Sequence, residues 1–167
     1  MEIVTPPVGS AVDAGALAED LHIDPAELPA LERLIGAATA VVETATNRPI
    51  LPREVRFRLP EAPFRDVWLP CAPVIELLGA EGAQLLNGHD EPRLRRGTFA
   101  GDSVLLRVGY ADPARAPQQL RQAIILLVME WREAQISVGE TFTAPALSFG
   151  VHRLLRQVRY RRPQVVC

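Results

Sequence analysis

The sequence predicts an α+β protein, mainly a helical bundle with a small inserted antiparallel β region and a C-terminal amphipathic basic helix or arm. Three observations carry this expectation. Apolar residues recur at three- and four-residue steps from Leu28 to Ala45, the pattern changes to short alternating runs between Ile50 and Tyr110, and helical spacing returns from Leu120 to Trp131. A stripe of period 3.6 belongs to a helix buried along one face, whereas alternation belongs to a half-buried strand. The 167 residues suffice for one domain with a real core, and 48% hydrophobic against 23% charged residues is a globular balance, so the chain is expected to fold by itself.

Residues 1–9 read as an arm, because Pro6, Pro7 and Gly9 interrupt regular structure. A short helix from about Asp13 to Leu21 follows. Asp24, Pro25 and Glu27 then form a helix start signal: a side-chain cap, a proline whose missing N–H costs nothing in the first turn, and an acid three residues after the cap. The helix carries Leu28, Leu31, Leu34, Ile35, Ala38, Val41, Val42 and Ala45 on one face and should end near Thr46 and Asn47, since Pro49 cannot continue the ladder. Val55, Phe57 and Leu59 alternate with Arg56 and Arg58 as in a half-buried strand. Further strands are expected at Val67 to Leu69, Val74 to Leu78 and Ser103 to Val108, with turns at Gly79, Gly82, Asn87-Gly88 and Gly101-Asp102 between them. After Pro117, Leu120, Ala123, Ile124, Leu127, Val128 and Trp131 mark the central helix, reaching about Ile136, and Ile125 and Leu126 widen its apolar face. Val151, Leu154, Leu155 and Val158 keep helical spacing in a last basic stretch. The expected division is a domain over residues 1–150 and a basic C-terminal arm over 151–167, whose removal after Gly150 should leave a folded subunit.

The residues needed for catalysis do not assemble into a pattern. Gly79 and Gly82 lack the Gly-Lys-Ser/Thr ending of a phosphate loop, and no serine sits in a nucleophile elbow. His22, His89 and His152 have no ligand-spaced partners and read as surface or cap histidines, so no metal and no cofactor is expected. Glu130 and Glu133 share one side of the central helix, where a solvated or subunit-facing strip is favoured over acid–base work. Cys71 and Cys167 read as inert thiols of a reducing cytosol. No apolar run is long enough to span a bilayer, and Glu2 follows Met1 where a secretory signal would be basic and apolar, so neither export nor a membrane is expected. An enzyme is not expected.

Charge carries more information. All eighteen basic residues are arginine. Residues 1–46 hold eight acids against Arg33 alone, whereas residues 141–167 hold five arginines and no acid. Such a chain can pair with copies of itself or with a charged neighbour. Three readings of the segment from Val151 to Arg162 remain open at this point: an amphipathic helix for an acidic protein groove, a solvated face, or arginines that track phosphates while Tyr160 stacks on a base. The last of these is the alternative function, a DNA-binding module.

Three segments in order resemble the phage head-to-tail connector (adaptor) family of siphophage type, also present in gene transfer agents. They are Leu17 to Leu51, closing on Glu43, Thr46 and Arg48; LPCAPVIELLGA, Leu69 to Ala80; and VGYADPARAPQQLRQAIILLVMEWREAQ, Val108 to Gln135. The resemblance implies a non-catalytic homo-oligomeric ring of about twelve subunits with head-to-tail contacts. It implies a portal protein on one side, a tail-side connector or stopper on the other, and DNA passing through the lumen. Assembly in the host cytoplasm, then residence at the head–tail junction of the particle, goes with that role. The portal or partner interface is expected on Val151, Arg153, Leu154, Leu155, Arg156, Val158, Arg159, Tyr160, Arg161 and Arg162.

Overall fold

Among the described residues the alternating runs become two antiparallel sheets, and the runs of helical period become four helices. The computed structural model describes residues 1–61, 64–135 and 147–163. The chain divides into a β unit, built from Met1–Val8, Asn47–Pro113 and the segment from Tyr160 onward, and a helical unit, built from Gly9–Thr46 and Ala114–Arg159.

The β unit contains β1 (Glu2–Thr5), β2 (Arg53–Arg58), β3 (Asp66–Trp68), β4 (Val74–Leu78), β5 (Gln84–Leu86), β6 (Arg93–Arg95) and β7 (Ser103–Val108). One sheet has the order β1-β2-β7-β4 and the other β3-β6-β5. Alternation sets the register. Val55 opposes Leu106 and Phe57 opposes Val104 on the inner face, while Glu54 opposes Arg107 on the outer one. Val55, Phe57, Leu69, Val74, Leu94, Val104, Leu106 and Val108 join one core cluster that takes residues from both sheets. On the outer face Arg107 reaches Glu54 at 3.4 Å and Glu76 at 2.5 Å, and Arg56 reaches Glu2 at 3.6 Å, so the polar half of the alternation forms a cross-strand charge ladder. In the second sheet Arg95 donates to both oxygens of Asp66, at 3.0 and 3.3 Å, and this bond holds the Asp66 carboxyl below its ordinary range.

The helical unit contains α1 (Ala14–Asp20), α2 (Leu28–Thr46), α3 (Gln118–Glu133) and α4 (Phe149–Val158). The oxygens of Asp13 and Asp24 accept from the N–H groups of Ala16 and Ala26, and Pro25–Glu27 forms a 3-10 turn ahead of α2. His22, at φ 53°, closes α1: its N–H reaches Glu19 O and that of Ile23 reaches Ala18 O, a paired ending that satisfies two orphan carbonyls. Asn47 takes the left-handed position after α2, as expected, at φ 54°. Leu31, Leu34, Ile35, Ala38 and Val42 of α2 and Leu120, Ala123, Ile124, Leu127, Val128 and Trp131 of α3 are buried where the two helices pack.

The expectation of a helical bundle with a small β insert is corrected by this architecture: among the described residues seven strands form two sheets with a core of their own, and the molecule is not mainly a bundle. Two causes are visible. β1, read as an arm, is exposed at all four positions and shows no alternation, yet it pairs along β2. β5 and β6, which have three residues each, too few to display a period, join the expected β3 in a second sheet held by pairing of β3 and β5 on either side of β6.

Gly109 ends β7 at φ +104°, and a Cβ there would stand 2.6 Å from the carbonyl oxygen of Leu51. Both the dihedral and the space demand glycine. Gly109→Ala is expected to cost more than about 1 kcal/mol and to lower Tm by roughly 3 °C or more. Gly36→Ala, inside α2 with open space around it, should instead raise Tm. Thermal unfolding of the two variants checks the contrast.

Candidate interface on the C-terminal segment

α4 begins where Ser148 caps it: its hydroxyl accepts from the Val151 N–H at 3.4 Å and its carbonyl from the His152 N–H at 2.9 Å. Val151 and Leu155 fall on one side and are buried, with α4 packed against α3 and against α2. Leu154 and Val158 flank them half-buried. The stripe expected to wait for a partner is therefore largely core of the helical unit. Residues 151–158 form a packed helix and not a free arm; those from 164 onward lie outside the described residues.

Tyr160 is buried as well, in the β unit. Its hydroxyl donates to the Leu69 carbonyl at 3.0 Å, its own carbonyl accepts from the Asn47 side-chain amide at 3.2 Å, and burial pushes its phenol above the ordinary value. A ring so enclosed cannot stack on a base, which removes the aromatic half of the DNA reading. Arg162 lies over the Phe57 ring, 5.8 Å from its centroid. The remaining expected residues are different: Arg153, Arg156, Arg159 and Arg161 are exposed and form no ion pair with a described residue.

One residue of this surface escaped the sequence reading. Phe149, the first residue of α4, is 82% exposed, the most open aromatic side chain among the described residues. It lies four residues before Arg153 and seven before Arg156, hence on the same helical face. That spacing was the signal available.

The acidic half of the chain is also partly committed. Asp13 and Asp24 cap their helical turns, and Glu27 accepts from Arg132 at 3.0 Å. Glu19, Asp20 and Glu32 are exposed and make no ion pair among the described residues.

Elsewhere the chemistry is sparse. Among the described residues no group of three or more His, Cys, Asp or Glu side chains converges as a metal site. A shallow polar hollow at residues 87–91 holds His89 hydrogen-bonded to Asp90 at 2.9 Å, both well exposed. Glu130 is half-buried and Glu133 exposed, with Arg132 between them engaged by Glu27. Cys71 is buried, which pushes its thiol up to about 11, so it is almost wholly protonated at neutral pH. Cys167 lies outside the described residues. No described helix is long and apolar enough to cross a membrane.

Neither a protein-family model nor a curated protein matches the chain. Solved structures do. The chain superposes with a TM-score of 0.70 and 22% identity on a chain of the neck of an empty gene transfer agent particle computed with C6 symmetry. It matches a chain of the virion of a native gene transfer agent particle with a TM-score of 0.68 and 22% identity, and one from the neck of the native particle computed with C12 symmetry with 0.62 and 24%. In each case the match covers 98% of both chains. The two units and their connections are thus a fold already seen whole in such particles.

Proposed function

We propose that this chain is a structural subunit of the neck of a gene transfer agent or tailed phage particle, a head-to-tail connector working as a ring. The observation that carries this reading is the likeness over 98% of both chains to a chain of a gene transfer agent neck. The C12 symmetry under which one such neck was computed supports a ring of twelve copies. Charge adds physical support: a ring needs two different complementary faces on every subunit, and the helical unit carries exposed acids on α1 and α2 and exposed arginines on α4. On this reading the portal binds one side of the ring, a tail-side connector or stopper binds the other, and DNA passes through the lumen. The work is mechanical and uses no cofactor; copies assemble in the host cytoplasm and stay with the particle.

Deleting the gene is expected to leave DNA-filled heads without tails, counted by electron microscopy of lysates, and purified wild-type particles should contain about twelve copies per portal ring by quantitative mass spectrometry. Tailed particles at normal number in the deletion strain would refute the connector role.

A further inference from the structure

We propose that the outer face of α4, centred on Phe149, Arg153 and Arg156, docks on the acidic end of α1 in the neighbouring copy of the same chain. The proposal rests on the ring reading above and specifies which surfaces close the ring.

Phe149 is 82% exposed and stands on the same face of α4 as Arg153 and Arg156, so the apolar area does not lie alone but beside two guanidinium groups. A large aromatic beside arginines is the composition of an interface centre, where apolar area supplies affinity and guanidinium forks fix orientation. The face is also rigid before binding, because Val151 and Leu155 fasten the opposite side of α4 into the core of its own unit. Little ordering entropy would then be lost on docking.

The matching surface lies in the same unit. Glu19, Asp20 and Asp24 are exposed, and between them Leu21 and Ile23 are half-buried, offering an apolar seat with a carboxylate rim. Arginine forks hold carboxylates in two parallel bonds. Arg153, Arg156 and Arg159 make no ion pair with these acids inside one subunit. Each copy therefore exposes both halves of a complementary pair without joining them, which favours a second copy over a different occupant. Two distinct faces that complement each other give a head-to-tail contact, and such contacts close into a ring when the rotation permits.

The test uses the full chain and three charge variants, all at exposed positions: Arg153→Glu with Arg156→Glu, Glu19→Arg with Asp20→Arg, and the four changes together. Ring fraction is read by mass photometry, with thermal unfolding to show that each variant is folded. Each pair of reversals should lower the ring fraction about tenfold, and the four-fold variant should recover most of it, because opposite charges again face each other. Phe149→Ser should weaken the ring and not be rescued. A wild-type ring indifferent to the reversals, or a four-fold variant without recovery, overturns this contact and leaves the ring reading standing. A wild-type chain that stays monomeric at every concentration overturns both. If the arginine reversals instead abolish binding to a 30-base-pair duplex while rings persist, the arginines serve DNA and the proposal fails.

Discussion

Leu127→Asp is expected to abolish soluble protein. Leu127 is 1% exposed on α3, within the face formed by Leu120, Ala123, Ile124, Val128 and Trp131, where α2 and α4 pack. A carboxylate placed there loses its hydration and gains no cation, and the protein must either bear several kcal/mol or open the helical unit to water. Against a total stability of about 5–15 kcal/mol that penalty decides the outcome. The matched control is Leu127→Met, which conserves volume and should cost less than about 1.5 kcal/mol. Soluble yield and melting temperature of the pair provide the check; equal yields would mean that this side of α3 is not core.

Truncation after Gly150 should be nearly as damaging, the opposite of what an arm would imply. It removes Val151 and Leu155 from the helical unit and Tyr160 from the β unit, all three buried. Burial of side chains of this size contributes about 1.5–3 kcal/mol each, so the deletion takes most of the stability of an ordinary domain. It also leaves the Leu69 carbonyl and the Asn47 amide without Tyr160. Aggregation, or a broad transition at much lower temperature, is the expected result. A sharp transition within a few degrees of the full chain would show that these contacts carry no weight.

The contrast between an arm and an integral helix illustrates what was legible in the sequence. Long periodic segments announced themselves: α2 and α3 were placed from spacing alone, Asp24 and Asn47 marked the ends of their segment, and β2, β4 and β7 followed from alternation. Local signals failed where structure depends on a distant partner. β1 has no buried residue and exists because β2 offers it an edge. β3 falls where a strand is expected at Val67 to Leu69, whereas β5 and β6 are each shorter than the window in which a period can be seen. The stripe of α4 is apolar as its spacing implies, yet a stripe does not say whose groove it fills, and here it packs against α3 and α2 of the same chain. The burial of Tyr160 was not legible for the same reason, since its hydrogen-bond partner stands 91 residues earlier. The arginines remain exposed as expected, and Phe149 joins them.

The chain crosses between its two units four times, at Val8, Asn47, Pro113 and Tyr160, and this has a temporal consequence. A ribosome adding about 5–20 residues per second finishes β7 several seconds before it delivers Tyr160, about fifty residues later. The newborn β unit must wait through that interval with Leu69 uncapped. α2 waits longer still, its apolar face bare until α3 emerges some seventy residues on, an exposure of the kind that recruits chaperones. The same interleaving means that no single peptide-bond cleavage can release either unit intact.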